Sequence, residues 1–502
     1  MVIPLTYTVY SICCGQSKKA WAPFISLEIM HLSHKVVPIG VSPGTPINFA
    51  YVWTISSVGA LGGLLFGYDW VVIGGAKPFY EKFFNLTTPS QQGWAMSCAL
   101  VGCLIGALTS GVLSNRLGRK RPLLLSAAVF SVSSVGVSLT THLAAFVWWR
   151  MMGGFAIGLA SSLSPMYIAE LAPANLRGKL VSLNQLTLVF GILLAQLANW
   201  LIARPIPIDA SATDILYSWN GQVGWRWMFG VTVIPSLFFL FAMLFVPESP
   251  RWLAGKGQMT KAESILTRIG GTAYSRSVLL EIQESLQRDQ GRTSVRSLLG
   301  RKMLRVLGLG VFLAVLQQWC GINVIFNYAE EVFSAAGYQV SDILFNIVVT
   351  GAVNVVFTLI ALRTVDRYGR RILMLFGTSG LAIIYSVLGF LYHRHSHGLH
   401  MLLLVVAAIA CYAMSLAPVT WVVISEIFPG RIRSAAVSIS VTALWVACFV
   451  LTYTFPLLNA SLGSAGTFWI YAGICAIGFL YLAARQPETK GKSLESIERM
   501  WE

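Results

Sequence analysis

The stretch NRLGRK at 115–120 returns as DRYGRR at 366–371, an offset of 251 residues. A second pair, ELAPANLRG at 170–178 and EIFPGRIRS at 426–434, repeats at an offset of 256. A near-constant offset means one unit built twice in the same orientation. Parallel repeats of this kind belong to membrane transporters whose two halves rock about a central site.

The residues between these motifs say what the unit is. The chain has 502 residues, 56% of them hydrophobic and 11% charged, where a soluble protein carries about 25% charged residues. A helix crosses a bilayer with roughly 20 apolar residues. Twelve stretches qualify: 52–76, 92–113, 122–141, 143–165, 180–203, 226–246, 306–333, 343–363, 372–392, 401–425, 434–457 and 466–484. The fold expected is an all-α membrane protein with twelve transmembrane helices in two parallel six-helix repeats. Its parts are a loose tail over 1–50, a six-helix bundle over 51–246, a linker over 247–305, a second bundle over 306–485, and a C-terminal tail over 486–502. In the linker, 259–270 and 277–289 space apolar residues as short amphipathic cytoplasmic helices.

Charge orients the spans. One set of alternate loops, with the C-terminal tail, holds 27 Lys and Arg, and the opposite set holds five. By the positive-inside rule the first set, both termini and the linker are cytoplasmic. The net charge of +16 is thus a topological signal and implies no nucleic acid. The eight cysteines form no CxxC pair and read as small buried hydrophobes. Residues 1–29 contain no span and no motif, and Met30 is an alternative start. A chain beginning at Met30 is expected to insert and transport normally, which transport measured at equal membrane abundance would check.

Two charges lie deep in apolar runs. Asp69 interrupts LGGLLFGYDWVVIGG at 61–75, and Arg150 interrupts VWWRMMGG. At about 1.5 Å per residue both lie roughly 10 Å from the outer ends of their spans. An unpaired charge at such depth costs several kcal/mol, so the two are expected to pair. Protonation of Asp69 would release Arg150, a means of driving conformational change. The repeated pairs Glu170/Arg177 and Glu426/Arg433, each flanking a proline, suggest a cytoplasmic gate in which each Glu meets an Arg of a neighbouring helix. The gate set also takes Glu248, Arg251, Asp366 and Arg370.

Amides cluster where lipid would reject them. Asn184 and Gln185 lie on span 5, Gln317, Gln318, Asn323 and Asn327 on span 7, and Asn354 on span 8. Buried donors and acceptors need partners. Uncharged amides beside Phe66, Tyr328, Trp421 and Trp445 suit a neutral polyhydroxylated ligand: each offers a donor and an acceptor to a diol. No deep Lys or Arg cluster would neutralise an anion.

On these residues the chain resembles the sugar porter family of the major facilitator superfamily, over about residues 50–500. The matches are RLGRK and its repeat DRYGRR, PESPRWL at 247–253, QQWCGIN at 317–323 and PETKG at 487–491. FGYD at 66–69 with Arg150 is similar to the proton-coupled members. The resemblance implies the major facilitator fold and proton coupling through Asp69 and Arg150. It places Phe66, Gln185, Gln317, Gln318, Asn323, Tyr328, Asn354, Trp421 and Trp445 on sugar-contact positions. Leu444, Ala417 and Asn327 depart from the family pattern and leave the particular sugar open.

The expected activity is proton-coupled symport of a monosaccharide, hexose or pentose, by alternating access. The expected setting is the plasma membrane, with the chain acting as a monomer and without cofactor or metal. A facilitative uniporter and a non-transporting sugar sensor remain as alternatives. No nucleophile–base pair or metal-ligand spacing in the apolar core points to an enzyme.

Overall fold

A computed structural model describes residues 47–207, 211–289, 300–338, 340–428 and 433–490. Residues 1–46 of the expected tail over 1–50, the segment 290–299 and the last residues, 491–502, lie outside the described residues, as do the side chains of Asp366 and Arg433. The described chain is helical: α1 (Phe49–Phe83), α2 (Pro89–Leu117), α3 (Lys120–Leu139), α4 (Leu143–Leu171), α5 (Arg177–Ile202), α6 (Ala212–Tyr217), α7 (Trp225–Gly230), α8 (Val233–Phe245), α9 (Pro250–Gly255), α10 (Met259–Asp289), α11 (Arg301–Trp319), α12 (Ile322–Asn327), α13 (Ala329–Ala335), α14 (Val340–Tyr368), α15 (Arg370–His393), α16 (Leu399–Met414), α17 (Leu416–Glu426) and α18 (Arg433–Arg485).

Eleven stretches among the described residues are long and apolar enough to cross a membrane. The last of them, Ala435–Arg485, has 51 residues. As one straight helix it would run about 75 Å, far beyond a hydrocarbon core of about 30 Å. Gly463 breaks it, with φ 66° and ψ 176°, so α18 holds two spans and the total is twelve. Large apolar side chains such as Leu139, Leu201, Phe245 and Leu480 stand exposed on the helices, as a lipid-facing belt requires.

In the first half α1 packs on α5 and α4, α2 on α4, and α3 on α4 and α8. In the second half α15 packs on α18 and α16, and α11 on α18. The halves meet along α2 with α18 and along α5 with α14. Lipid tails give helices no hydrophobic drive to associate, so close backbone packing must supply the attraction. The α2–α4 contact shows how. Gly102 and Gly106 face the carbonyls of Met151 and Phe155, while Gly154 and Gly158 face those of Ala99 and Cys103. Two small-xxx-small ladders interlock, and a Cβ at any of the four would strike a backbone carbonyl. Gly154→Val is therefore expected to destabilise the fold by about 2 kcal/mol, read as a lower melting temperature in detergent.

Breaks in two spans were not legible as breaks. Span 7 is cut twice, at Gly321 in the left-handed region, φ 86°, and at Tyr328, φ −121° and ψ 35°, into α11, α12 and α13. Span 10 is cut at Ser415, φ −127° and ψ −92°. The linker forms α9 and α10, and α10 itself kinks at Gly270 and Gly271.

Candidate functional site

Asp69 on α1 and Arg150 on α4 are both buried. Arg150 Nη1 donates to Asp69 Oδ1 at 2.5 Å, and its guanidinium lies over the Phe229 ring, 5.4 Å from the centroid. Glycines at 153 and 154 leave α4 narrow beside the arginine. The pair borders two small cavities. One also touches Trp70, Ile73, Asn327 and Thr452, and so reaches the second half. The other is lined by Ser133, Ser134 and Thr232 within the first half. A buried ion pair gains little net stability, but breaking one partner leaves an uncompensated charge.

The amides of span 7 form a connected chain. Gln317 Nε2 donates to the carbonyls of Leu416 and Ala417 at 3.3 and 3.2 Å. Gln318 Nε2 donates to Gln317 Oε1 at 3.4 Å, and Asn323 Nδ2 to Gln318 Oε1 at 2.5 Å. The carbonyls that Gln317 meets lie in the first turn of α17, just after the break at Ser415. The break at Gly321 turns the chain between Gln318 and Asn323. Tyr328 is buried, with its hydroxyl donating to Thr452 O at 2.6 Å.

Phe66 and Trp445 lie 5.7 Å apart by ring centroids across the two halves. Trp70 completes a triad with them, 5.6 Å from Phe66 and 6.3 Å from Trp445. Trp70 was not among the expected sugar contacts, although it follows Phe66 by one helical turn, a spacing that puts both on one face. Gln185 is half-buried on α5, Asn354 is buried on α14, and Trp421 is exposed on α17. None of the three is bonded into the amide chain.

On the face that carries the repeated motifs, the same clasp is built twice. Arg119 donates to Glu170 at 2.8 Å, and Ser249 Oγ donates to the other oxygen of Glu170. Glu248 accepts the backbone N–H groups of Arg119 and Lys120 at 2.8 and 3.2 Å. In the second half Arg370 donates to Glu426 at 3.2 Å, and Thr489 Oγ1 to Glu426 at 2.6 Å. Glu488 accepts the N–H groups of Arg370 and Arg371 at 2.9 and 3.0 Å. Gly118 and Gly369 make this possible. Their φ values of 91° and 92° are left-handed, and a Cβ on either would fall on the clasping carboxylate.

Each Glu meets an Arg at the start of a neighbouring helix, and in the first half that Arg is Arg119, which was not in the gate set. Glu170 bonds Arg119, because the Gly118 turn delivers that side chain to it, and Arg177 stands exposed at the start of α5. Arg251 reaches Ser285 on α10 at 3.1 Å. Glu488 was not in the set. The signal for it was the echo of Glu248-Ser249 in Glu488-Thr489, within PESPRWL and PETKG.

Burial pushes the Glu488 carboxyl up, but N–H donors from Lys490, Arg370, Arg371 and Thr489 outweigh it and hold the group below the usual carboxylate range. A depressed carboxylate stabilises the fold above its unfolded pKa, and that contribution is lost as pH falls through the folded value. Glu488→Gln should therefore melt a few degrees below the parent at neutral pH. The gap should close in acid below the ordinary glutamate range of about 4.

Comparison with known proteins places this architecture. The family model described as "Sugar (and other) transporter" matches residues 55–501. The chain belongs to the sugar transporter family. It is 40% identical over 493 residues to the D-xylose-proton symporter of Escherichia coli (strain K12), covering 91% of this chain and 97% of that one. It is 36% identical over 472 residues to the arabinose-proton symporter of Bacillus subtilis (strain 168), covering 93% and 99%. The inward-open structure of the xylose transporter XylE from E. coli superposes with a TM-score of 0.78 at 38% identity, covering 90% of this chain and 100% of that one. In this multi-pass sugar transporter with the major facilitator fold, the buried ion pair lies in the first half beside a cavity that reaches Asn327 and Thr452 of the second, and the amide chain lies in the second half.

Proposed function

We propose that this transporter is a proton-coupled monosaccharide importer of the plasma membrane. It works as a monomer by alternating access, with both termini and the motif face cytoplasmic. The observation that carries the reading is the Asp69–Arg150 pair: a facilitator that only lets sugar equilibrate has no use for a buried carboxylate whose charge state controls an arginine. The xylose and arabinose symporters to which the chain is similar couple sugar to protons by their names, and the same coupling is the reading here.

Gln317, Gln318 and Asn323 present donors and acceptors to sugar hydroxyls, with Gln185 on α5 and Asn354 on α14 as further amides of the site. The rings of Phe66, Trp445 and Trp421 cover C–H faces of the sugar, and Tyr328 closes the outer end. The Glu170 and Glu426 clasps each brace one half, so that the halves move as rigid bodies. A proton on Asp69 neutralises the pair's acid and frees Arg150 for the change of face.

The test is uptake in cells or proteoliposomes with an external pH electrode. Addition of a transported pentose or hexose should alkalinise the medium, and a protonophore should abolish accumulation. Sugar equilibration without proton movement would instead establish the uniporter, and binding without flux the sensor.

A further inference from the structure

Lys77 is the charged group that the proposed mechanism leaves unused. It lies on α1 about two turns, roughly 12 Å, beyond Asp69 toward the extracellular end, and its side chain is 3% exposed. Its Nζ is 2.5 Å from Glu331 Oε1 and 3.5 Å from Glu330 Oε2, both on α13 of the other half. It also lies 3.0 Å from Glu81 Oε2 on its own helix, and 5.8 Å from the centroid of the Tyr328 ring. Directly below, a Cβ on Gly74 would meet the carbonyls of Phe326 and Asn327, so here the two halves touch backbone to backbone. The Arg119–Glu170 and Arg370–Glu426 pairs of the cytoplasmic face each stay within one half.

We propose that Lys77 is a positioning residue for transport: it latches the extracellular side shut by joining α1 to Glu330 and Glu331, and it exchanges those partners for Glu81 alone when that side opens. The inference rests on the alternating-access reading. A contact shifts an equilibrium only through its different strength in the two states. The pairs to α13 exist only while the halves are together, so they favour the conformation closed to the outside. The pair to Glu81 is an i,i+4 contact that travels with α1. It keeps the ammonium from being left without a partner, which would cost far more than the pair itself is worth. A lysine with partners on both sides of the moving interface can therefore hold the closed state without preventing its opening.

Hydrogen exchange followed by mass spectrometry on the full chain in lipid nanodiscs, without sugar, reads both faces at once. In Lys77→Met the amides of residues 329–338 should exchange about tenfold faster. Those of the Gly118 and Gly369 turns should exchange more slowly, because the population moves from one face to the other. Lys77→Arg should resemble the parent. The double variant Glu330→Gln, Glu331→Gln should reproduce the one-sided change, and Glu81→Gln should not. A loss of folding would speed exchange on both faces. If Lys77→Met does so, the double variant decides: a one-sided change upholds the latch, and an unchanged or two-sided pattern overturns it. Parent-like exchange in Lys77→Met also overturns it. Sugar counterflow by the parent is a separate measurement, so failure of the transport reading and failure of the latch are distinguishable.

Discussion

Asp69→Asn is expected to abolish accumulation of sugar driven by a proton gradient and to leave counterflow, the exchange of sugar down its own gradient, largely intact. A symporter must change face when loaded with both substrates or with neither, and not with one alone. The 2.5 Å pair between Asp69 and Arg150 can enforce this rule, because Arg150 is held only while the acid is charged. Asparagine has the shape of the protonated acid and cannot become charged, so the proton-dependent half of the rule is lost. Exchange needs no proton to leave and so continues. At saturating gradient the expected loss is the whole concentrative component, with internal sugar reaching only the external level. Arg150 in the variant faces a neutral amide and a cation–π contact with Phe229, so some loss of stability is expected, and counterflow on the same reconstituted sample separates it from uncoupling. Asp69→Glu should keep partial coupling if the cavity beside Trp70 and Asn327 admits a methylene. A variant Asp69→Asn that still concentrates sugar would make the pair structural and move the coupling elsewhere.

Much of the fold was legible because it rests on long-range regularities. Apolar run lengths fix the spans, and motif offsets fix the repeat. What stayed hidden depends on where backbone turns. A left-handed Gly321 is indistinguishable in sequence from the packing glycines of α2 and α4, so its cut in span 7 could not be read. The shared depth of Asp69 and Arg150 follows from the rise per residue, since both lie on straight helix. Partners delivered by a turn do not follow from it. That the Arg meeting Glu170 is Arg119 depends on the Gly118 turn, and spacing along a helix says nothing about a loop. Glu488 was within reach, since its relation to Glu248 is a repeat of the same kind that identified the two halves. Lys77 was read only as one loop charge among five, because its partners are some 250 residues away.

Gln317→Ala is expected to weaken sugar binding by about one to two orders of magnitude while the protein still folds and inserts. A hydrogen bond lost to a buried ligand hydroxyl costs about 1–3 kcal/mol, and each 1.4 kcal/mol is tenfold in affinity. Gln317 stands to lose more than one bond. Its Nε2 spans the carbonyls of Leu416 and Ala417 at the break between α16 and α17, while its Oε1 accepts from Gln318, which in turn holds Asn323. Removing the first amide therefore frees two carbonyls and loosens the next two side chains, so the site loses orientation as well as a contact. The fold should survive, because the two carbonyls lie in the first turn of α17 and keep the N–H donors of their own helix. Binding by isothermal calorimetry on purified protein, with the melting temperature recorded alongside, checks both halves of the expectation. Affinity equal to the parent's would remove Gln317 from the sugar site. Restoration by Gln317→Asn is not expected, because a side chain shorter by one methylene cannot reach the α16–α17 carbonyls and Gln318 together.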